Sequence, residues 1–193
     1  MHSEWVQLKD IASVKAGHPI RGAVTSDTNG DVAVVQIKNV QAETGIDWPV
    51  VTRTILEGRR APDWLEAGDI LFSARGHRNI AVCVNEPPLK AVCSPHFFLI
   101  RIRNEKQALP EFVAWQMNLP QSQTYFAQSA TGSFITSIRR QVLEKTRLLL
   151  PSIEKQRLLV RFSQAAQHEK ELMKRLMENR RQELNIVATK LLT

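Results

Sequence analysis

Three side chains have the chemistry to bind a soft metal or act as nucleophile and base: Cys83, Cys93 and His96. A tetrahedral zinc site draws its ligands from closely spaced Cys and His pairs. Here the cysteines stand ten residues apart and no second close pair exists. They lie in apolar, strand-like runs, so Cys83, Cys93 and His96 read as core residues. Asp63, in Pro62-Asp63, and Glu66, in Glu66-Ala67-Gly68, suggest the acids of a metal-dependent nuclease. The lysine of such a centre is missing and the two acids are too closely spaced. The five histidines are scattered and form no H-E-x-x-H, and no G-x-x-x-x-G-K-[ST], G-x-G-x-x-G or G-x-S-x-G occurs. No catalytic residue, metal ligand or cofactor is therefore expected. Asn85-Glu86-Pro87-Pro88-Leu89 looks faintly like the N-P-P-Y motif that holds a flipped adenine. Glu86 interrupts it, Leu89 replaces the stacking aromatic, and no glycine-rich segment offers a seat for a methyl-donor nucleotide. That stretch reads as a loop between strands.

Binding is better represented than catalysis. Lys and Arg number 26 against 19 acids, a formal charge of +7. Seventeen cations face fourteen acids through residue 150, and nine face five beyond it, so both parts are basic. A basic surface attracts polyanions, nucleic acid above all. Arg75-Gly76-His77-Arg78-Asn79 follows a strand and gathers side chains able to reach a base edge or a phosphate. Arg can grip guanine, and Asn adenine, through two hydrogen bonds. Lys15, His18 and Arg21 share a second loop, and Lys38-Asn39 ends the VAVVQI strand. Ser133, Thr136, Ser137, Arg139 and Arg140 make a further polar cluster. Any one of these residues reads more readily as solvated loop; basic loops recurring on one sheet domain favour nucleic acid. On double-stranded DNA, Lys and Arg would set register on phosphates, and the loops would enter the major groove.

The elements that must carry these loops are short strands. Ile11–Val14, Val32–Ile37, Val50–Ile55, Ile70–Phe72, Ile80–Val84 and Phe97–Ile102 are apolar or alternating runs punctuated by Gly, Pro, Asn and Asp. They predict an α+β fold built on a curved, mainly antiparallel sheet or barrel. Pro110 can open a helix, and Pro120 ends it and opens the next. Ser137 is placed to cap a short helix over Ile138–Leu143, and Thr146–Leu150 reads as a last strand. After Pro151-Ser152 no Gly or Pro occurs as far as Leu192, and Leu158, Phe162, Ala165, Leu172, Leu176, Leu184, Val187 and Leu191 recur at helical steps. A helix of about 38 residues would run about 57 Å, longer than a small domain can cover. Glu169 interrupts the stripe and Arg180-Arg181 shift its phase. Such a face needs another helix, and coiled-coil-like pairing with a second copy is the simplest supply; the alternative is a helix folded back on the domain. Apolar residues make up 43% and charged residues 23%, as in a globular chain. No run of 18 apolar residues exists, so no membrane partner is expected. Two cysteines, and an N-terminus without a signal-peptide pattern, fit the reducing cytoplasm.

Three stretches then fall in a telling order: Trp5-Val6-Gln7-Leu8-Lys9-Asp10-Ile11-Ala12-Ser13-Val14-Lys15-Ala16-Gly17; Gly68-Asp69-Ile70-Leu71-Phe72-Ser73-Ala74-Arg75-Gly76; and Gly132 through Ile138 and Leu143 to Leu150-Pro151-Ser152-Ile153-Glu154-Lys155-Gln156. In order and spacing, and over almost its full length, the chain resembles the specificity (S) subunits of type I restriction-modification systems. The resemblance implies a non-catalytic subunit. Its target recognition domain, here 1–151, reads half of a bipartite DNA site. Its long helix, here 152–193, acts as spacer and dimerisation element. Methyltransferase (modification) subunits would dock on it and carry the adenine-N6 chemistry, with the restriction subunit joining through the complex. A usual S subunit holds two recognition domains and two spacer helices; this chain has one of each. It resembles a half-subunit that a homodimer would complete on a palindromic, interrupted site. It could instead be a fragment, a silent cassette, or the partner of a different half. Two readings from other classes remain: an assembly or scaffold protein acting through its long helix without DNA specificity, and an enzyme built around Asp63 and Glu66.

Overall fold

Short β-branched and aromatic runs form strands where alternate residues can be buried on a sheet face. In the computed structural model, which describes residues 3–20, 22–27, 29–56, 61–76, 78–131 and 137–192, these strands are β1 (Glu4–Gln7), β2 (Ala12–Ala16), β3 (Val32–Val35), β4 (Val40–Gln41), β5 (Gly45–Ile46), β6 (Thr52–Thr54), β7 (Ile70–Ser73), β8 (Ala81–Cys83), β9 (Ala91–Cys93), β10 (Phe97–Ile102) and β11 (Arg147–Leu150). The helices are α1 (Leu8–Ile11), α2 (Pro110–Met117), α3 (Pro120–Ser129), α4 (Arg140–Glu144) and α5 (Ile153–Leu192).

In the largest sheet β10 lies between β2 and β7, with β8 beyond β7, and every pair is antiparallel. In a three-stranded sheet β3 lies between β6, antiparallel to it, and β9, parallel to it. β1 pairs with β11, and β4 with β5. The expected α+β class and mainly antiparallel sheets are present. The barrel alternative is not: the described strands form separate sheets and close no barrel.

β3 shows why its run is continuously apolar. Ala33 and Val35 face one core with Leu71, Val82, Cys93 and Leu99. Val32 and Val34, out of phase by one, face a second core with Val92, covered by Ile20, Val24, Leu56 and Trp64. A strand buried on both faces loses its polar alternation. Phe72 projects from the face of β7 opposite Leu71 and meets Phe126 of α3 at a ring-centroid distance of 4.8 Å.

α2 and α3 start at Pro110 and Pro120, in first-turn positions where a missing N–H leaves no bond unmade. Asn118, at the end of α2, closes the free edge of β8. Its Oδ1 accepts from Ala81 N at 3.0 Å and its Nδ2 donates to Ala81 O at 2.6 Å. The expected Ser137 cap is corrected. α4 begins at Arg140 with Arg139 at the N-cap, because Ser137 exchanges two backbone hydrogen bonds with Thr131. The turn α1 was not expected; the Asp10 carboxylate accepts the Gln7 N–H across it at 3.0 Å.

α5 has 40 residues, about 60 Å of helix. Its first turn is anchored by Gln156, which is fully buried. The Gln156 Oε1 accepts from Leu109 N, and its Nε2 donates to the Gln107 and Pro151 carbonyls, all at 2.9 Å. The chain divides into two compact units, Met1–Arg157 and Leu158–Thr193. In the second, Leu158, Phe162, Leu172, Leu176, Leu184, Val187 and Leu191 are 51–80% exposed, and Ala165 is exposed as well. Arg180 and Arg181 are paired along the helix with Glu183 and Glu178. Among the described residues no helix is long and apolar enough to cross a membrane.

Candidate nucleic-acid interface

Strand direction gathers the basic loops. In the antiparallel sheet Ala16 pairs with Phe98, Phe97 with Ser73, and Phe72 with Ala81. The exits of β2 and β7 and the starts of β10 and β8 therefore share one end. The parallel partner strands β3 and β9 bring their exits to that end too: Ser94 N donates to Val35 O at 2.9 Å, and β9 turns into β10 through Ser94–His96. So the residues directly after β2, the turn Ile37–Asn39, the turn holding His96 and the described residues Arg75, Gly76, Arg78 and Asn79 emerge together. The segment before α4 joins them, since Ile138 N donates to Ala74 O at 2.9 Å and Ser137 bridges to Arg75.

Ile37, Arg75, Gly76, His96 and Ser137 line an open groove of about 440 Å³ at this end. Its walls are fixed through the backbone: His96 O accepts from Ala74 N at 2.8 Å. Gly76 sits at φ +123°, a conformation that side-chain-bearing residues rarely adopt. Lys38, Arg75, Arg78 and Arg139 are exposed and form no ion pair among the described residues.

The remaining expected site residues are placed differently. Lys15 is exposed but paired with Asp63. His18 is buried, its N–H donating to Cys93 O at 2.8 Å. Asn39 is also buried; its Oδ1 accepts from Gln36 N at 2.9 Å and its Nδ2 donates to Val50 O at 3.1 Å. Asn79 Nδ2 donates to Ser73 O at 2.8 Å. These two amides shape turns. Arg21, His77, Ser133 and Thr136 lie outside the described residues.

Gly17 holds the β2 exit against the β9–β10 turn. Its N–H donates to Phe97 O at 3.0 Å, and a Cβ there would stand 2.1 Å from the Ser94 carbonyl oxygen. Gly17→Ala should therefore destabilise the chain by about 1–3 kcal/mol, the range for overpacking against backbone, read as a lowered urea midpoint.

Neither cysteine is an activated nucleophile. Burial pushes the Cys93 thiol up to about 12, and burial, with Glu111, Asp69 and Glu105 nearby, does the same for Cys83. Both stay protonated at neutral pH. Among the described residues no three His, Cys, Asp or Glu side chains gather as metal ligands would. Asp63 and Glu66 are separately engaged, by Lys15 and by Arg101. His96, read from sequence as core, is exposed instead. Its turn leads into β10, and the antiparallel pairing of β10 with β7, invisible in a local pattern, brings it beside Arg75.

No protein-family model and no curated protein matches the chain. Solved structures do. A chain from a structure of complex assembly and conformational transition in the type I R-M system aligns over 96% of this chain and 43% of its own length, at TM-score 0.66 and 16% identity. The type I restriction-modification S subunit from M. genitalium aligns over 94% and 43%, at TM-score 0.57 and 12% identity. The HsdS subunit from Thermoanaerobacter tengcongensis aligns over 90% and 39%, at TM-score 0.61 and 16% identity. The chain thus spans about two-fifths of the length of the solved chains it matches, and shares the fold of that part, α+β with a long C-terminal helix.

Proposed function

We propose that the chain is a non-catalytic DNA-recognition module of a type I restriction-modification specificity subunit, in half-length form. Residues 1–151 read one half-site, and residues 152–193 space and join two modules. The observation that carries this reading is the convergence of exposed Lys38, Arg75, Arg78 and Arg139 on one sheet end, around an open groove. The shared fold supports it, as does the uncovered stripe of α5, which pairs with a second copy in this reading. Methyltransferase subunits, and through them a restriction subunit, are the partners that supply catalysis in the cytoplasm.

Titration of the full chain onto duplex DNA at several salt concentrations tests the proposal. Cations that neutralise phosphates release counterions, so log K should fall linearly with log salt. Replacing Lys38, Arg78 or Arg139 by Ala should reduce that slope by about one per phosphate contact removed. A salt-independent affinity would transfer the conclusion to the scaffold reading.

A further inference from the structure

We propose that His96 is a specificity-determining residue. With Arg75 it reads the acceptor edge of a guanine in the major groove, while Ile37 receives the methyl group of a neighbouring thymine. The inference rests on the duplex-recognition reading above and assigns the chemistry of its groove.

The lining sets that chemistry. Arg75, His96 and Ser137 can all donate hydrogen bonds, and no carboxylate is among the described lining residues. Guanine alone presents two acceptors, O6 and N7, on its major-groove edge. Adenine and cytosine would each turn an amino group toward these donors. Ile37 gives the groove an apolar wall, and its other side packs on the core with Val35 and Phe97. A phosphate gains nothing from such a wall, whereas a thymine methyl does.

The three walls are also pre-positioned. Ile37 follows β3 and His96 follows β9, two strands joined by Ser94 N to Val35 O at 2.9 Å. Arg75 follows β7, tied to the His96 carbonyl through Ala74 N at 2.8 Å. Side chains held by rigid neighbouring elements lose little freedom on binding, which suits discrimination between bases.

The test selects duplexes from a random pool with the full chain and with His96→Ala and Ile37→Ala, then titrates the enriched site. Wild type should enrich a site containing guanine beside thymine. His96→Ala should lower the guanine preference at one position about 10- to 100-fold, with the salt slope unchanged. 7-Deazaguanine at that position should weaken wild type and barely affect His96→Ala. Uracil in place of thymine should likewise weaken wild type and leave Ile37→Ala unaffected. If His96→Ala keeps the full preference, or weakens all duplexes equally with a shallower salt slope, the assignment is overturned and His96 is at most a phosphate contact. Retained uracil sensitivity in Ile37→Ala overturns the methyl assignment. Wild type that enriches no sequence overturns the recognition reading itself.

Discussion

Arg101→Met is expected to destabilise the chain by about 3 kcal/mol, the lower end of the range for breaking a buried ion pair from one side. Asp69 is 1% exposed. Arg101 meets both its oxygens, Nε to Oδ1 at 2.7 Å and Nη2 to Oδ2 at 2.8 Å. The same guanidinium donates to the Trp64 carbonyl at 3.0 Å and pairs with Glu66 at 3.0 Å. It thus ties the start of β7 to β10, at the opposite end of the sheet from the groove. Hydrogen bonding to Asp69 raises the Arg101 pKa further, against the opposing pull of burial, so the guanidinium stays charged. Among the described residues, methionine would leave a buried carboxylate with only the Glu66 N–H as a partner. Its own side chain is 40% exposed, which keeps the loss at the lower end. Asp69→Asn in the Arg101→Met background should restore part of it, because a neutral amide costs less to bury. Lys15→Met, which breaks the more exposed pair with Asp63, should cost less than about 1 kcal/mol. Urea unfolding of the variants checks all three; a loss for Arg101→Met as small as that for Lys15→Met would remove the argument.

This pair also shows how far the chain could be read without coordinates. Gly68-Asp69 was legible as the opening of a strand, but the partner of Asp69 lies 32 residues on, and a local pattern carries no such pairing. The strands with clean alternation or β-branched runs, β3, β7 and β10, stand where periodicity put them. So do the helices started by Pro110 and Pro120, because proline acts through its own backbone. The misses were non-local. Ser137 resembles a cap in sequence, yet its backbone pairs with Thr131. Gln156 looks like one more polar helix residue, yet it is fully buried among three backbone groups. The site divides the same way. Arg75 and Arg78 were legible as basic loop residues, whereas Asn39 and Asn79 share their composition but bond to their own turns. His96 and Ile37 enter the groove only through strand pairing.

Leu172→Asp combined with Leu176→Asp is the substitution with the largest expected effect in the proposed assembly. Both leucines lie on the stripe of α5, at 51% and 58% exposure, so each still has about half its surface to bury. Full burial of a leucine is worth about 1.5–3 kcal/mol, and half of that remains. Twofold symmetry repeats each substitution, so four leucines leave the joint at once. The loss is therefore about 3–6 kcal/mol before the cost of desolvating four carboxylates, or an association weaker by about 100- to 20,000-fold. Helix propensity barely opposes the change at exposed positions: aspartate lies only a few tenths of a kcal/mol below leucine, and α5 spans 40 residues. Lys174→Ala, about half a turn round from Leu172, is the matched control and should leave association intact. Sedimentation of the three proteins at micromolar concentration decides the matter. Wild type and Lys174→Ala should run as dimers and the double variant as a monomer, with circular dichroism unchanged. A wild-type chain that stays monomeric would rule out self-pairing. A double variant that stays dimeric would move the joint off this face of α5. If the joint is here, each copy brings one cationic sheet end, and the pair presents two identical readers related by the twofold axis. Duplexes with inverted half-sites should then outcompete single half-sites for wild type and lose that advantage for the double variant.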